Sequence, residues 1–131
     1  MKNLHYIITA KRQLDYAKIC SMILGLEPQI RGVIVYHFNG EFLAGGMRSG
    51  IESYLPPEEL SKSVLNTILR WKTRSLLYPF LGEGKYSITE YEKMKRITFL
   101  LNKSVLLIVG TEVEINHDVI IQKILQLIHE K

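Results

Sequence analysis

The spacing of apolar positions divides the chain into stretches of helical and strand period. From about Lys11 to Leu24 the period is helical. Tyr16, Ile19, Cys20 and Ile23 recur at i, i+3, i+4 and i+7 and so share one face. Gly25 and Pro28 end that helix. Arg31 to Phe38 reads as a strand apolar on both alternations, with Val33 and Val35 on one and Ile34, Tyr36 and Phe38 on the other. Asn39-Gly40 is a strong hairpin signal, because both residues tolerate positive φ. Glu41 to Ala44 returns as a second strand, and Gly45-Gly46-Met47-Arg48-Ser49-Gly50 follows as a flexible connection. Residues 1–10 precede this pattern as an N-terminal extension that reads equally as a short strand or a helix lead-in.

Pro57 to about Tyr78 is a long helix. Pro57 suits its first turn, and Glu58 and Glu59 complement its dipole. Its apolar arc is unusually wide. Leu60, Val64, Ile68 and Trp71 form one side, and Leu65, Leu69 and Leu76 the other. Covering one sheet face needs a narrower stripe, so this helix is expected to be buried on two sides. Gly82 and Gly84 mark a turn. Lys85 to Tyr91 alternates weakly, Arg96 to Leu101 is a further strand, and Asn102-Lys103 turns the chain into Ser104–Val109, apolar on both faces. Asn116 can cap a last helix with Ile121, Ile124, Leu125 and Ile128 as its core stripe.

Strands apolar on both faces belong in the centre of a sheet covered on both sides, and short or half-polar strands belong at its edges. The expected fold is therefore α/β, of the α+β kind. It is a single five-stranded antiparallel sheet in the order 2-1-5-4-3, with the middle helix on one face and the N- and C-terminal helices on the other, forming one domain over residues 11–131.

Composition narrows the class. A chain of 131 residues, 47% apolar and 23% charged, is a normal size for one domain and too apolar for disorder. Its one cysteine, Cys20, forbids an intrachain disulfide and a four-cysteine zinc site, which fits a reducing compartment. The start of the chain lacks a long apolar stretch and a small-residue cleavage site, and no apolar run approaches the roughly 20 residues needed to span a bilayer. The expected location is the cytoplasm. Net charge is +4, which permits an acidic partner without requiring one.

Two stretches carry a resemblance. The first is Ile23-Leu24-Gly25-Leu26, followed by the hairpin Gly32-Val33-Ile34-Val35-Tyr36-His37-Phe38-Asn39-Gly40-Glu41-Phe42-Leu43-Ala44. With the element order, it resembles the roadblock/LC7 family over roughly residues 11–130. The second, Leu43-Ala44-Gly45-Gly46-Met47-Arg48 with Tyr91-Glu92-Lys93-Met94-Lys95-Arg96, is similar to uncharacterised roadblock-like proteins of ammonia-oxidising archaea. The family resemblance implies a non-enzymatic homodimer in which the middle helix and the third strand, residues 57–78 and 85–91, each meet their copy. It further implies a scaffold or a regulator of small Ras-like GTPases. The expected dimer contacts are Leu60, Val64, Ile68, Trp71, Tyr86 and Ile88. The basic middle helix, with Lys62, Arg70, Lys72 and Arg74, and the N-terminal extension depart from the family pattern.

No catalytic constellation stands out, and neither a metal site nor a cofactor is expected. The glycine-rich run after Ala44 could cradle a phosphate with Arg48, but it lacks the lysine-serine ending of a P-loop, and a flexible exit from an edge strand explains it as well. His5, His37, His117 and His129 have no zinc-pair spacing. Cys20 lies on the apolar face of its helix and reads as a small core residue. Glu90 and Glu92 flank Tyr91 and read as a solvated edge. Arg48, Arg70, Lys72, Arg74, Lys93, Lys95 and Arg96 are the candidate contacts for an anion or a nucleic acid, although acidic residues lie nearby and no RNA-binding aromatic signature or zinc finger accompanies them. A homodimeric interaction module leads. A nucleic-acid-associated protein and a small-ligand sensor are the alternatives.

Overall fold

The computed structural model describes residues 15–129. They form a helix over residues 15–24 (α1), β1 Ile30–His37, β2 Phe42–Met47, α2 Pro57–Arg74, a single 3-10 turn Ser75–Leu77, α3 Tyr78–Leu81, β3 Tyr86–Glu90, β4 Lys95–Asn102, β5 Val105–Thr111 and α4 His117–His129. The extension expected at residues 1–10, and the first turn of the helix expected from Lys11, lie outside the described residues.

The sheet has the order β2-β1-β5-β4-β3, with every pairing antiparallel. This is the order the apolar pattern predicts, for the reason given: β1 and β5 are buried on both faces and take the centre. On one face, Ile19, Cys20 and Ile23 of α1 and Ile120, Ile121, Ile124 and Ile128 of α4 close over Val33, Val35, Ile97, Phe99, Leu107 and Val109. On the other, Val64, Ile68 and Trp71 of α2 lie on Leu106 and Ile108, with Leu60, Tyr36 and Leu100 around them. Fully burying a side chain of this size contributes roughly 1.5–3 kcal/mol, so these two clusters fix both helical layers.

Local chemistry sets the ends of the elements. The Asn116 side-chain oxygen accepts from the Val119 N–H at 3.3 Å and caps α4. Pro57 occupies the first turn of α2 beside Glu58 and Glu59. The helix ends at Arg74 and continues as a tighter turn and then α3, short of the single helix to Tyr78 that its apolar period suggested. Pro79 has no N–H to extend the hydrogen-bond ladder and sits in the first turn of α3 instead.

β2 also departs from expectation. It runs through Gly45 and Gly46 to Met47, pairing Ile34 with Gly45 and Gly32 with Met47, where the sequence suggested a flexible connection. Gly45 has φ +97°, and a Cβ there would lie 2.0 Å from the Val33 carbonyl oxygen. Glycine therefore permits a close strand approach at this position and does not mark a loop.

Candidate functional site

α2 presents three different flanks. Its inner flank, Val64, Ile68 and Trp71, is buried against the chain's own sheet, with Leu60 packed beside it. Trp71 is 1% exposed, and its indole N–H donates to Thr98 Oγ1 at 2.9 Å. Four of the six expected dimer contacts, Leu60, Val64, Ile68 and Trp71, therefore lie on the flank that packs against the chain's own sheet.

The second apolar side, Leu65, Leu69 and Leu76, is exposed, as are Leu77, Phe80 and Leu81 that continue it. Leu69 is 61% exposed and Phe80 83%. Leu65 lies toward the β1–β2 turn, where a Cβ on Gly40 would meet its Cδ2. The exposed stripe therefore faces away from β3. β3 is the sheet edge on the far side. Tyr86 and Ile88 sit opposite Phe99 and Ile97 on the α1/α4 face, with Tyr86 exposed and Ile88 half-buried.

The third flank is polar. Ser63, Thr67, Arg70 and Arg74 recur at i, i+4, i+7 and i+11 and look toward β3 and β4. Together with Arg96 they border a small trough of about 30 Å³, whose floor and far wall are Ser87, Thr89 and Thr98. Arg96 donates to the Ser63 hydroxyl. Burial pushes the Arg96 guanidinium below its ordinary pKa, and the neighbouring Arg70 charge pushes the same way, while Tyr91 opposes them. Arg74 lies 5.2 Å from the Trp71 ring centroid. Among the described residues, none of Arg70, Arg74 and Arg96 pairs with a carboxylate.

The other basic residues go elsewhere, so the seven candidate anion or nucleic-acid contacts do not form one surface. Arg48 donates from Nε to the Ile30 carbonyl at 2.7 Å and from its second amino nitrogen to the Leu24 and Glu27 carbonyls at 2.6 and 2.9 Å. Its guanidinium thus serves carbonyls around and after the end of α1, apart from the Arg70–Arg74 flank. Lys95 is buried; its Nζ donates to the Ile115 carbonyl and lies 2.9 Å from His117 Nδ1. Lys93 lies against the Tyr54 ring. Lys72 projects from the opposite side of α2, into a wide cleft with Lys85 and Lys103. Period alone does not separate these residues, because their placement depends on turns between elements. The trough's hydroxyls are hidden in the sequence for a related reason: Ser63 and Thr67 share the Arg70–Arg74 flank at readable spacing, but Ser87, Thr89 and Thr98 join them only through sheet pairing.

Elsewhere the chemistry is structural. Cys20 is 3% exposed and burial pushes its thiol up to about 11, so it is no nucleophile at neutral pH. His37 Nδ1 accepts from the Asn39 N–H within the hairpin turn. No three His, Cys, Asp or Glu side chains among the described residues are grouped to hold a metal. A cavity of about 280 Å³ on the α2 face, floored by Gly32 and Gly110, has mostly apolar walls, including Ile34, Met47, Leu60 and Met94. No helix among the described residues is long and apolar enough to cross a membrane.

With that geometry in place, comparison with known proteins gives a likeness of fold alone. No family model matches the sequence, and no curated protein does. Among solved structures, a roadblock/LC7 domain from Streptomyces avermitilis superposes with a TM-score of 0.66 at 10% identity, covering 86% of this chain and 91% of that one. MglB from Myxococcus xanthus gives 0.65 at 11% identity, covering 86% of each chain. The gliding protein MglB from Thermus thermophilus gives 0.60 at 15% identity, covering 92% of this chain and 91% of that one. The chain thus has the roadblock/LC7 fold. Nothing in these comparisons bears on the nearer likeness to archaeal proteins.

Proposed function

We propose that this chain is a non-enzymatic, homodimeric interaction module of the cytoplasm that scaffolds or regulates a small Ras-like GTPase or a signalling complex. The observation that carries the reading is the two-sided α2. Its own sheet uses Val64, Ile68 and Trp71 and leaves Leu65, Leu69 and Leu76 exposed in line with Leu77, Phe80 and Leu81. A contiguous exposed apolar stripe is the kind of surface a protein partner covers. The fold shared with MglB and with the roadblock/LC7 domain supports the same reading, since resemblance to that family implies GTPase regulation and scaffolding. On this reading the motifs around Gly45 and Lys93 place its nearer relatives among the archaeal roadblock-like proteins.

For self-association the reading uses the opposite edge. β3 is five residues long and, among the described residues, has no strand on its outer side, so its edge backbone groups suit pairing with a second copy. Tyr86 and Ile88 flank that edge. Self-pairing through β3 leaves the α2–α3 stripe, on the far side of α2, open for a different protein.

The test is to purify small Ras-like GTPases from the source organism and measure complex formation, hydrolysis and nucleotide release with the chain present and absent. The wild type should bind one of them and change its rates, and a Leu69→Glu/Phe80→Glu variant should do neither. A wild-type chain that sediments as a monomer and binds no GTPase overturns the reading.

A further inference from the structure

The trough between α2 and the β3–β4 hairpin brings three positive charges together, with Tyr91 beside them and no carboxylate in its lining among the described residues. Arg70 and Arg74 come from one flank of α2, and Arg96 rises from β4. Elsewhere in the described structure the basic groups of low exposure are compensated. Arg31 pairs with Glu112 at 3.1 Å and donates to the Glu52 carbonyl, Arg48 is bound by three carbonyls, and Lys95 has the Ile115 carbonyl, His117 and Glu90. The trough is the exception. Arg96 is held there by a neutral hydroxyl, partly desolvated and next to a like charge. Desolvating a cation beside another cation is unfavourable, and the usual compensation is an anion that neutralises both.

The uncharged groups around the trough suit the same ligand. Ser63 Oγ accepts from Arg96, which leaves its own O–H free to donate. Ser87 and Thr89 add hydroxyls from the sheet. Guanidinium forks and hydroxyl donors lining one trough are a donor set suited to a tetrahedral oxyanion, because each N–H or O–H can meet a separate oxygen. The volume of about 30 Å³ admits only a small group and is far too small for a whole nucleotide.

We infer that the trough bordered by Arg70, Arg74, Arg96 and Ser63 is a binding site for a phosphate group, supplied either as free inorganic phosphate or as the terminal group of a small phosphomonoester. This inference does not rest on the dimeric, GTPase-directed reading. The site makes no use of the apolar stripe, and its test needs no protein partner.

The experiment is a titration of the full chain with inorganic phosphate, and separately with glycerol phosphate, at constant ionic strength maintained with chloride. Binding is followed by the fluorescence of Trp71, the chain's only tryptophan, whose ring lies against Arg74 and bonds to Thr98 at the trough wall, and by the rise in melting temperature. Saturable binding is expected, with affinity reduced about tenfold or more in Arg70→Gln. Arg70 is exposed, so this variant folds even if Arg96→Gln does not. Binding of both ligands assigns an open site, and binding of inorganic phosphate alone assigns a closed one. A response that tracks ionic strength without saturating, or an Arg70→Gln chain that binds as well as the wild type, overturns the proposal.

Discussion

The indole N–H of Trp71 donates to Thr98 Oγ1 at 2.9 Å, joining the last turn of α2 to β4 through a bond buried at both ends. That bond fixes the rotation of α2 about its own axis. With Trp71 turned down onto the sheet, Ser63, Thr67, Arg70 and Arg74 face β3, and Leu65, Leu69 and Leu76 face the other way. The assignment of one flank to an anion and the other to a protein follows from this one orientation.

Substitution at Trp71 therefore tests folding before it tests association. Trp71→Glu would bury a charge in the cluster with Val64, Ile68, Leu106 and Ile108 and should leave the chain unfolded rather than monomeric. Trp71→Phe retains most of the packing and strands the Thr98 hydroxyl, at a cost of about 1–3 kcal/mol. Urea denaturation followed by far-UV circular dichroism distinguishes the two. A well-folded Trp71→Glu chain would show that α2 is rotated from the position described.

Arg48 should behave as a structural residue. Its guanidinium donates to the Leu24, Glu27 and Ile30 carbonyls, so Arg48→Ala removes three hydrogen bonds from part-buried acceptors, of which Glu27 keeps the Ile30 N–H. The expected loss of stability is about 2–4 kcal/mol, with phosphate affinity unchanged. A stable Arg48→Ala chain with weakened phosphate binding would reverse the roles given to Arg48 and Arg70.

Gly45→Ala should be among the costliest small substitutions in the chain. The new Cβ would meet the Val33 carbonyl at 2.0 Å with the backbone at φ +97°, so β2 must leave β1 or shift its register. A loss of about 3 kcal/mol or more is expected, with early amide exchange along β2. Exchange unchanged from the wild type would mean that the strand accommodates the methyl by another route.

Cys20 offers a pH test. Burial raises its thiol from an ordinary value near 9.0 to about 11. The folded state therefore favours the protonated form. The stability this contributes is complete below pH 9 and is lost as pH rises through about 11. Denaturant midpoints should fall between pH 9 and 11 in the wild type and fall less in Cys20→Ala, whose cavity cost is the same at every pH. At pH 8, a thiol reagent should modify Cys20 only as fast as the chain opens. Rapid modification of the native protein would contradict its burial.

The exposed stripe predicts the opposite behaviour. Leu69→Glu and Phe80→Glu remove no buried contact, since both side chains are largely solvent-exposed. Stability should stay within about 0.5 kcal/mol of the wild type, while any complex formed through the stripe is lost. A large drop in melting temperature for either variant would show that the stripe packs within the chain's own fold.

The sequence by itself determined the element order, the strand order and the placement of the helical layers. These depend on period and on which strands are apolar on both alternations, and both are local properties of β1, β5 and their neighbours. It also showed that α2 has more apolar surface than one sheet face can cover. What it left open was which side of α2 the sheet takes. Leu60–Val64–Ile68–Trp71 and Leu65–Leu69–Leu76 are both helical stripes, and only packing against Leu106, Ile108 and Thr98 chooses between them. The phosphate trough was hidden for the same reason. Four of its nine lining residues lie on one helix at visible spacing, and the other five, Ser87, Thr89, Tyr91, Arg96 and Thr98, are 24 to 35 positions away from Ser63 along the chain. These residues come together because antiparallel pairing sets β3 beside β4, with α2 laid across the same face. Arg48 and Lys95 show the converse. In sequence they are free cations like Arg70, and tertiary structure places backbone carbonyls around them, because a buried charge persists only where the fold supplies its partners.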